Sequence, residues 1–364
     1  MRKINVLVVD DSSFMRKLIS DFLSEDPQIQ VIGTARNGEI AIKKIRELKP
    51  DVITMDVEMP VLNGLEALKL IMAKQPIPVV MLSSTTKEGA DNTLTAIQYG
   101  AIDFIPKPSG AISLDLHKIK EDLVQKVISA SKVNQKQLNK FTTNRNLTTK
   151  QVERYSKIEL MNPSNHNSVK KWNTDANKIV CIGTSTGGPR ALQAVLTKLP
   201  ADLDAAVLIV QHMPAGFTKS LAARLNSICD ISVEEAKDGE VVQKGTAYIA
   251  PGGFHMKIKQ AGTNLLIHLD QTEARNGHRP AVDVLFESVS EIKDSLKVAV
   301  IMTGMGSDGA KGLIALKNSG IVIAIAESHE TSIVYGMPKA AIATKLIDEV
   351  QDVENIAETI LKYV

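Results

Sequence analysis

In the second half of the chain a serine, a histidine and an aspartate each follow an apolar run. Ser185 lies in "IGTSTGGPR" (182–190), between an apolar stretch and a helix-like one. Gly183-Thr184-Ser185-Thr186-Gly187 satisfies G-x-S-x-G, whose small residues let a strand-to-helix turn expose a hydroxyl. The same residues would also serve as an anion-binding turn or a tight corner, so the serine needs a base. His212 ends "AAVLIVQH" (205–212), the next apolar run after the Ser185 unit. If those two strands are neighbours, both side chains reach one edge of a sheet. His255 and His278, in Gly-rich segments, remain possible bases. The group that orients an imidazole and stabilises its protonated form is an acid. "VAVIMTGMGSDG" (298–309) ends a third apolar run in a Gly-rich loop holding one acid, Asp308. Gly304, Gly306 and Gly309 make that backbone permissive, so its N–H groups could point at a developing oxyanion.

The first half carries a different set. Asp10 and Asp11 close "INVLVVD", Asp56 closes "DVITMD", Ser83 closes "PVVMLS", and Lys107 lies in "DFIPKP". In a parallel sheet these strand ends share one edge. Three converging carboxylates need a cation, and Mg²⁺ suits them as a hard ion with oxygen ligands. A hydroxyl and an ammonium beside that ion could hold a phosphoryl group.

Two α/β domains must position these groups. Residues 1–128 alternate five near-continuous apolar strands with helical spacing at Ser12–Glu25, Gly38–Leu48, Gly64–Lys74, Thr93–Tyr99 and Leu116–Ile128. That pattern predicts a flavodoxin-like, five-stranded parallel sheet covered on both faces. Residues 177–364 return to the alternation, with strands at 178–185, 205–212, 246–252, 297–304 and 321–327. Residues 256–269 read as an antiparallel hairpin. This predicts a doubly wound, mainly parallel α/β domain. Between the two, residues 129–176 hold eight asparagines and nine Lys or Arg against three acids. That composition predicts a polar, flexible linker. The order Ser, His, Asp differs from the Ser, Asp, His order of the α/β-hydrolase fold and argues against it.

Composition excludes several classes. A net charge of +2 gives no strong field toward nucleic acid or membrane, and 4% aromatic residues weaken base stacking. No apolar stretch reaches transmembrane length, and the acids at Asp10 and Asp11 come too soon for a signal peptide. Cys181 and Cys229 show no metal spacing and read as buried, reduced thiols of a cytoplasmic protein.

"VVDDS", "DVEMPVLNG", "PVVMLSS" and "IPKP" resemble the motifs of a bacterial response-regulator receiver domain. The resemblance implies that Asp56 accepts phosphate from a histidine kinase. It implies that Asp11 and Asp56 bind Mg²⁺ with the Glu58 backbone carbonyl, Asp10 lying nearby. Ser83 is then the switch hydroxyl, Phe104 the switch aromatic and Lys107 the phosphate-binding lysine, with Lys107–Pro108 cis. "IGTSTGGPRAL", "QHMP", "IAPGGFHM", "RPAVDVLFES" and "MTGMGSDGAKGL" resemble the catalytic domain of the chemotaxis protein-glutamate methylesterase (CheB) family. This resemblance implies Ser185 as nucleophile, His212 as general base and Asp308 as its partner, with the Met305 N–H and Thr186 at the oxyanion hole.

The family implies hydrolysis of glutamate γ-methyl esters on chemoreceptors with release of methanol, needing no cofactor for that step. Deamidation of receptor glutamines stays open. A chemotaxis histidine kinase is the implied phosphodonor, and neither nucleic acid nor membrane insertion is expected. The implied regulation is a receiver that covers the catalytic edge until Asp56 is phosphorylated. Two other classes are weighed. A phosphate-cradling binding module lacks a Walker lysine, and a DNA-binding regulator lacks a helix-turn-helix pattern or a basic recognition helix.

Overall fold

The computed structural model describes residues 2–107, 113–133 and 177–364, with side chains of 113–118 left aside. Residues 134–176 of the expected linker, and the Lys107–Pro108 peptide, lie outside the described residues.

The N-terminal part runs β1 (Ile4–Val9), α1 (Ser13–Ser24), β2 (Ile29–Ala35), α2 (Gly38–Leu48), β3 (Val52–Asp56), α3 (Gly64–Lys74), β4 (Val79–Ser83), α4 (Lys87–Tyr99), β5 (Asp103–Pro106) and α5 (Ser113–Ala130). Its five strands are parallel in the order β2-β1-β3-β4-β5. Val6 to Val9, Val52 to Asp56 and Val79 to Ser83 are buried throughout, as helices on both faces require. Polar caps start the helices: Ser12, Asn37, Asn63 and Thr86 each accept a backbone N–H from the first turn. Helix α4 begins six residues earlier than the apolar spacing indicates. Thr86 caps it, and the run Lys87-Glu88-Gly89-Ala90-Asp91-Asn92 carries little periodicity of its own.

The C-terminal part runs β6 (Asn177–Thr184), α6 (Gly188–Leu196), β7 (Ala206–Gln211), α7 (Phe217–Asn226), β8 (Ser232–Glu235), β9 (Thr246–Ile249), β10 (His255–Ala261), β11 (Asn264–Asp270), α8 (Val282–Ser290), β12 (Ser295–Ile301), α9 (Ala310–Asn318), β13 (Val322–Glu327), α10 (Met337–Ala343), β14 (Glu349–Gln351) and α11 (Val353–Leu361). Seven parallel strands take the order β14-β13-β12-β6-β7-β9-β8, and β10-β11 form a separate antiparallel pair. The hairpin therefore stands beside the main sheet. Sequence reading misses β8 and β14, which are short edge strands with half-exposed residues and little apolar signal.

The strand order sets the site. From β6 the chain moves outward to β7; from the adjacent β12 it moves the opposite way to β13. Their loops therefore part at the C-terminal edge and leave a crevice at the switch point. Ser185 follows β6, and Gly304–Asp308 follows β12.

Candidate active site

The Ser185 turn is held by its neighbours on both sides. Its N–H donates to Thr303 O (3.0 Å), and its carbonyl accepts from Gly188 N (2.7 Å) and Gln211 Nε2 (3.0 Å). Gly187 has φ +79°, and a Cβ at Gly188 would lie 1.9 Å from Gln211 Oε1, so both glycines are needed. Gly304 presses close too: a Cβ there would lie 2.8 Å from Ser185 Cβ. Thr303 Oγ1 donates to Thr186 O (2.9 Å), tying the two loops together. Among the described residues, the N–H groups of Thr186 and Met305 donate to no backbone acceptor.

Parallel pairing sets Thr184 beside Gln211, so Ser185 and His212 follow from adjacent strand ends. His212 N–H donates to Thr184 O (3.1 Å). The His212 ring reaches Asp308, with Nε2 2.8 Å from Oδ2 and both side chains nearly buried. The carboxylate calls for a proton on Nε2, which leaves Nδ1 as the basic nitrogen. Nδ1 is buried and has no partner among the described residues. A hydrogen bond from Ser185 Oγ to His212 is absent among the described residues, as in many ligand-free serine hydrolases. Burial opposes ionisation of Asp308. His212 and the backbone N–H groups of Val282 (2.7 Å) and Asp283 (3.1 Å) outweigh it and hold the pKa down at about 2. A carboxylate kept ionised in this way favours an imidazolium beside it.

Three neighbours complete the site: His278, one of the possible bases, and Asn276 and Asp283, which spacing does not single out. The His278 ring stacks on His212 with centroids 3.9 Å apart and planes 14° apart. His278 stays exposed, but desolvation of its stacked ring first, then the adjacent His212 ring, pushes its pKa down to about 4. Asn276 and Asp283 lie against Asp308. His255, the other candidate base, is fully buried and its Nε2 meets Glu273 O (3.0 Å). Cys181 is buried and free, whereas Cys229, expected to be buried, is only half-buried. Burial pushes their thiols up to about 12 and about 11.

In the N-terminal sheet, carboxylate oxygens of Asp10, Asp11 and Asp56 lie within 4.8 Å of one another. Lys107 Nζ bridges Asp10 (3.0 Å) and Asp56 (2.8 Å). Burial pushes the Asp56 carboxyl up to about 6, Lys107 pulling it down and Asp10 adding to the rise. This crowded, oxygen-rich set fits a divalent cation, which relieves the repulsion. Glu58 N–H donates to Asp56 Oδ1 (3.3 Å). Ser83 sits at the end of the adjacent strand, but its hydroxyl donates to Gly89 O in α4 (2.9 Å), away from Asp56.

The two parts meet at the catalytic edge. Thr186 Oγ1 donates to Asp103 Oδ2, and Arg190 to Ile97 O. Phe104, buried, stacks on Phe217 with centroids 4.6 Å apart. Lys126 lies over the Phe104 ring and 3.6 Å from Asp103.

A receiver-like sheet with an acidic pocket, packed on an α/β domain with serine, histidine and aspartate at one switch point, defines a class of regulated hydrolase. A family model described as CheB methylesterase matches residues 180–360, and one described as response regulator receiver domain matches residues 6–117. The chain is 55% identical over 364 residues to the protein-glutamate methylesterase/protein-glutamine glutaminase of Geobacillus kaustophilus, covering 100% of this chain and 99% of that one. It is 54% identical over 360 residues to the protein of that name from Halalkalibacterium halodurans, covering 99% and 98%. The crystal structure of the Thermotoga maritima CheB methylesterase catalytic domain matches with TM-score 0.50 and 44% identity, over 52% of this chain and 100% of that chain. The chain belongs to the CheB methylesterase family and carries a response-regulator receiver domain. No described helix is long and apolar enough to cross a membrane.

Proposed function

We propose that this chain hydrolyses glutamate γ-methyl esters on chemoreceptors, with Ser185 as nucleophile, His212 as general base and Asp308 as its orienting acid. The observation that carries the reading is the 2.8 Å His212 Nε2–Asp308 Oδ2 contact at the strand end beside Ser185. His212 Nδ1 takes the Ser185 proton as Oγ attacks the ester carbonyl. The oxyanion forms near the Thr186 and Met305 N–H groups, which have no backbone acceptor to give up among the described residues. The imidazolium protonates the departing methoxide, and methanol leaves an acyl-serine. Water, deprotonated by His212, releases glutamate and free Ser185. The relatives' second named activity, on glutamine, needs the same steps with ammonia as the leaving group.

The receiver domain (1–128) regulates the catalytic domain (177–364) through the linker (129–176). Asp11, Asp56 and the Glu58 carbonyl would hold Mg²⁺, with Asp10 nearby, and the ion would supply charge neutralisation as Asp56 accepts a phosphoryl group from a chemotaxis histidine kinase. Lys107 then pairs with the phosphoryl group. Ser83 leaves Gly89 O to do the same, and Phe104 turns, loosening the face that covers Thr186. Free thiols and the kinase partner support a cytoplasmic location. The test is labelling by a fluorophosphonate probe followed by peptide mapping. Modification of Ser185 in the parent and none in Ser185→Ala supports the assignment; modification at another residue refutes it.

A further inference from the structure

Asp283 and Asp308 cap each other's helix. Asp283, in the first turn of α8, is fully buried. Its Oδ1 accepts the N–H groups of Gly309 (2.9 Å) and Gly312 (2.8 Å) at the start of α9, and its Oδ2 accepts from Asn276 Nδ2 (3.1 Å). Asp308, just ahead of α9, accepts the N–H groups of Val282 and Asp283 at the start of α8. Asn276 Nδ2 also lies 3.4 Å from Asp308 Oδ1, so one amide spans both carboxylates. At Gly312 the helices touch, since a Cβ would lie 2.9 Å from Asp283 Cα.

An uncharged Ser, Thr or Asn can cap a helix, and a buried carboxylate is more costly to desolvate. No Lys or Arg pairs with Asp283 among the described residues. Its charge therefore needs another reason, and the triad acid beside it supplies one. Asp308 hangs from a loop with φ +75° at Gly306 and +93° at Gly309, a backbone with little stiffness of its own. The bonds from Gly309 and Gly312 to Asp283 fix the exit of that loop. We propose that Asp283 is a positioning residue for the esterase reaction, holding Asp308 against His212 and placing a second negative charge behind the imidazole. This rests on the triad reading above. As His212 takes the proton, Asp308 faces the new positive charge and Asp283 stands directly behind Asp308, where the N–H groups at the starts of α8 and α9 favour negative groups.

Among the described residues, few charged or titratable groups are linked to this unit. Asp308 joins it from the loop after β12, His212 reaches it through Asp308, and His278 stacks on His212. Arg275 is bound to Glu287 (2.8 Å), and Lys126 acts on His278 across the domain contact. Asp283→Asn removes charge while retaining an oxygen for the α9 N–H groups.

The experiment measures methanol release from methylated receptor by the full chain with saturating acetyl phosphate, across pH, for the parent, Asp283→Asn, Asn276→Ala and Ser185→Ala. The expected result for Asp283→Asn is a kcat lowered about tenfold or more with KM nearly unchanged, because small misplacements of catalytic groups are costly. The acid limb of its kcat/KM profile moves to lower pH, since the imidazolium has lost a negative neighbour. A cap that matters only for folding lowers the melting midpoint and leaves that limb in place. Asn276 is exposed, so Asn276→Ala decides the matter if Asp283→Asn does not fold. It should lower kcat with KM unchanged. A folded Asp283→Asn with the parent's kcat and acid limb, or in its default an Asn276→Ala with the parent's kcat, overturns the proposal. An active Ser185→Ala instead refutes the triad on which it rests.

Discussion

Phe104 of the receiver stacks on Phe217 of the catalytic domain, ring centroids 4.6 Å apart and planes 22° apart. Phe104 lies between Asp103, which takes the Thr186 hydroxyl, and the strand end that carries Lys107. The Asp10–Asp11–Asp56 pocket and the edge that carries Ser185 and Thr186 are thus joined through one short strand.

If this stack helps hold the covered state, Phe217→Ala should raise turnover without phosphodonor. An aromatic pair contributes about 1 kcal/mol beyond its area, so the open fraction should rise about fivefold. The fully phosphorylated rate should change little. Methanol release with and without acetyl phosphate measures both. A fragment of residues 177–364 should likewise exceed the unphosphorylated chain and ignore the phosphodonor.

Asp56→Asn should abolish Mg²⁺-dependent labelling by acetyl phosphate, because an amide is a poor nucleophile and the cation site loses a charge. Phosphate incorporation is read by intact mass. Stoichiometric labelling of this variant would place the acceptor at another residue.

The same substitution has a pH signature. The folded pKa of Asp56, about 6, lies above its ordinary value. Its contribution to stability is therefore full below pH ~4 and lost as pH rises through about 6. Without divalent cations, Asp56→Asn should melt close to the parent at pH 4 and above it at pH 7. Mg²⁺ should raise the melting midpoint of the parent far more than that of the variant. Calorimetry at the two pH values, with and without Mg²⁺, reads all four cases.

Asp308 runs the other way. Its folded pKa, about 2, lies below the ordinary carboxylate value, so it stabilises the fold above pH ~4 and that stability is lost as pH falls toward 2. Asp308→Asn should show a shallower loss of stability over that interval. Denaturant midpoints between pH 5 and 2 test it.

Much of this was legible in the sequence where burial and turn chemistry agree. Continuous apolar strands ending in Asp10, Asp56, Ser185 or His212 announce parallel sheets with polar groups at one edge. The edge strands β8 and β14 were hidden because a short, half-exposed strand carries no strong period. Asp283 and Asn276 were hidden for another reason. Their roles depend on two helix starts and a turn being brought together, and "RPAVDVLF" reads as an ordinary amphipathic helix start. The Asp103–Thr186 contact depends on docking between domains, which strand and helix periods do not encode.

The central claim is that Ser185 and His212 carry ester hydrolysis. Its most direct measurement is methanol released from receptor bearing glutamate γ-methyl esters, by the phosphorylated full chain and by Ser185→Ala and His212→Ala at matched concentration. The account predicts rapid release by the parent and losses of about 10⁴-fold or more in each variant, as triad members act as a unit. Release by folded His212→Ala at near the parent's rate, or by Ser185→Ala, would contradict it.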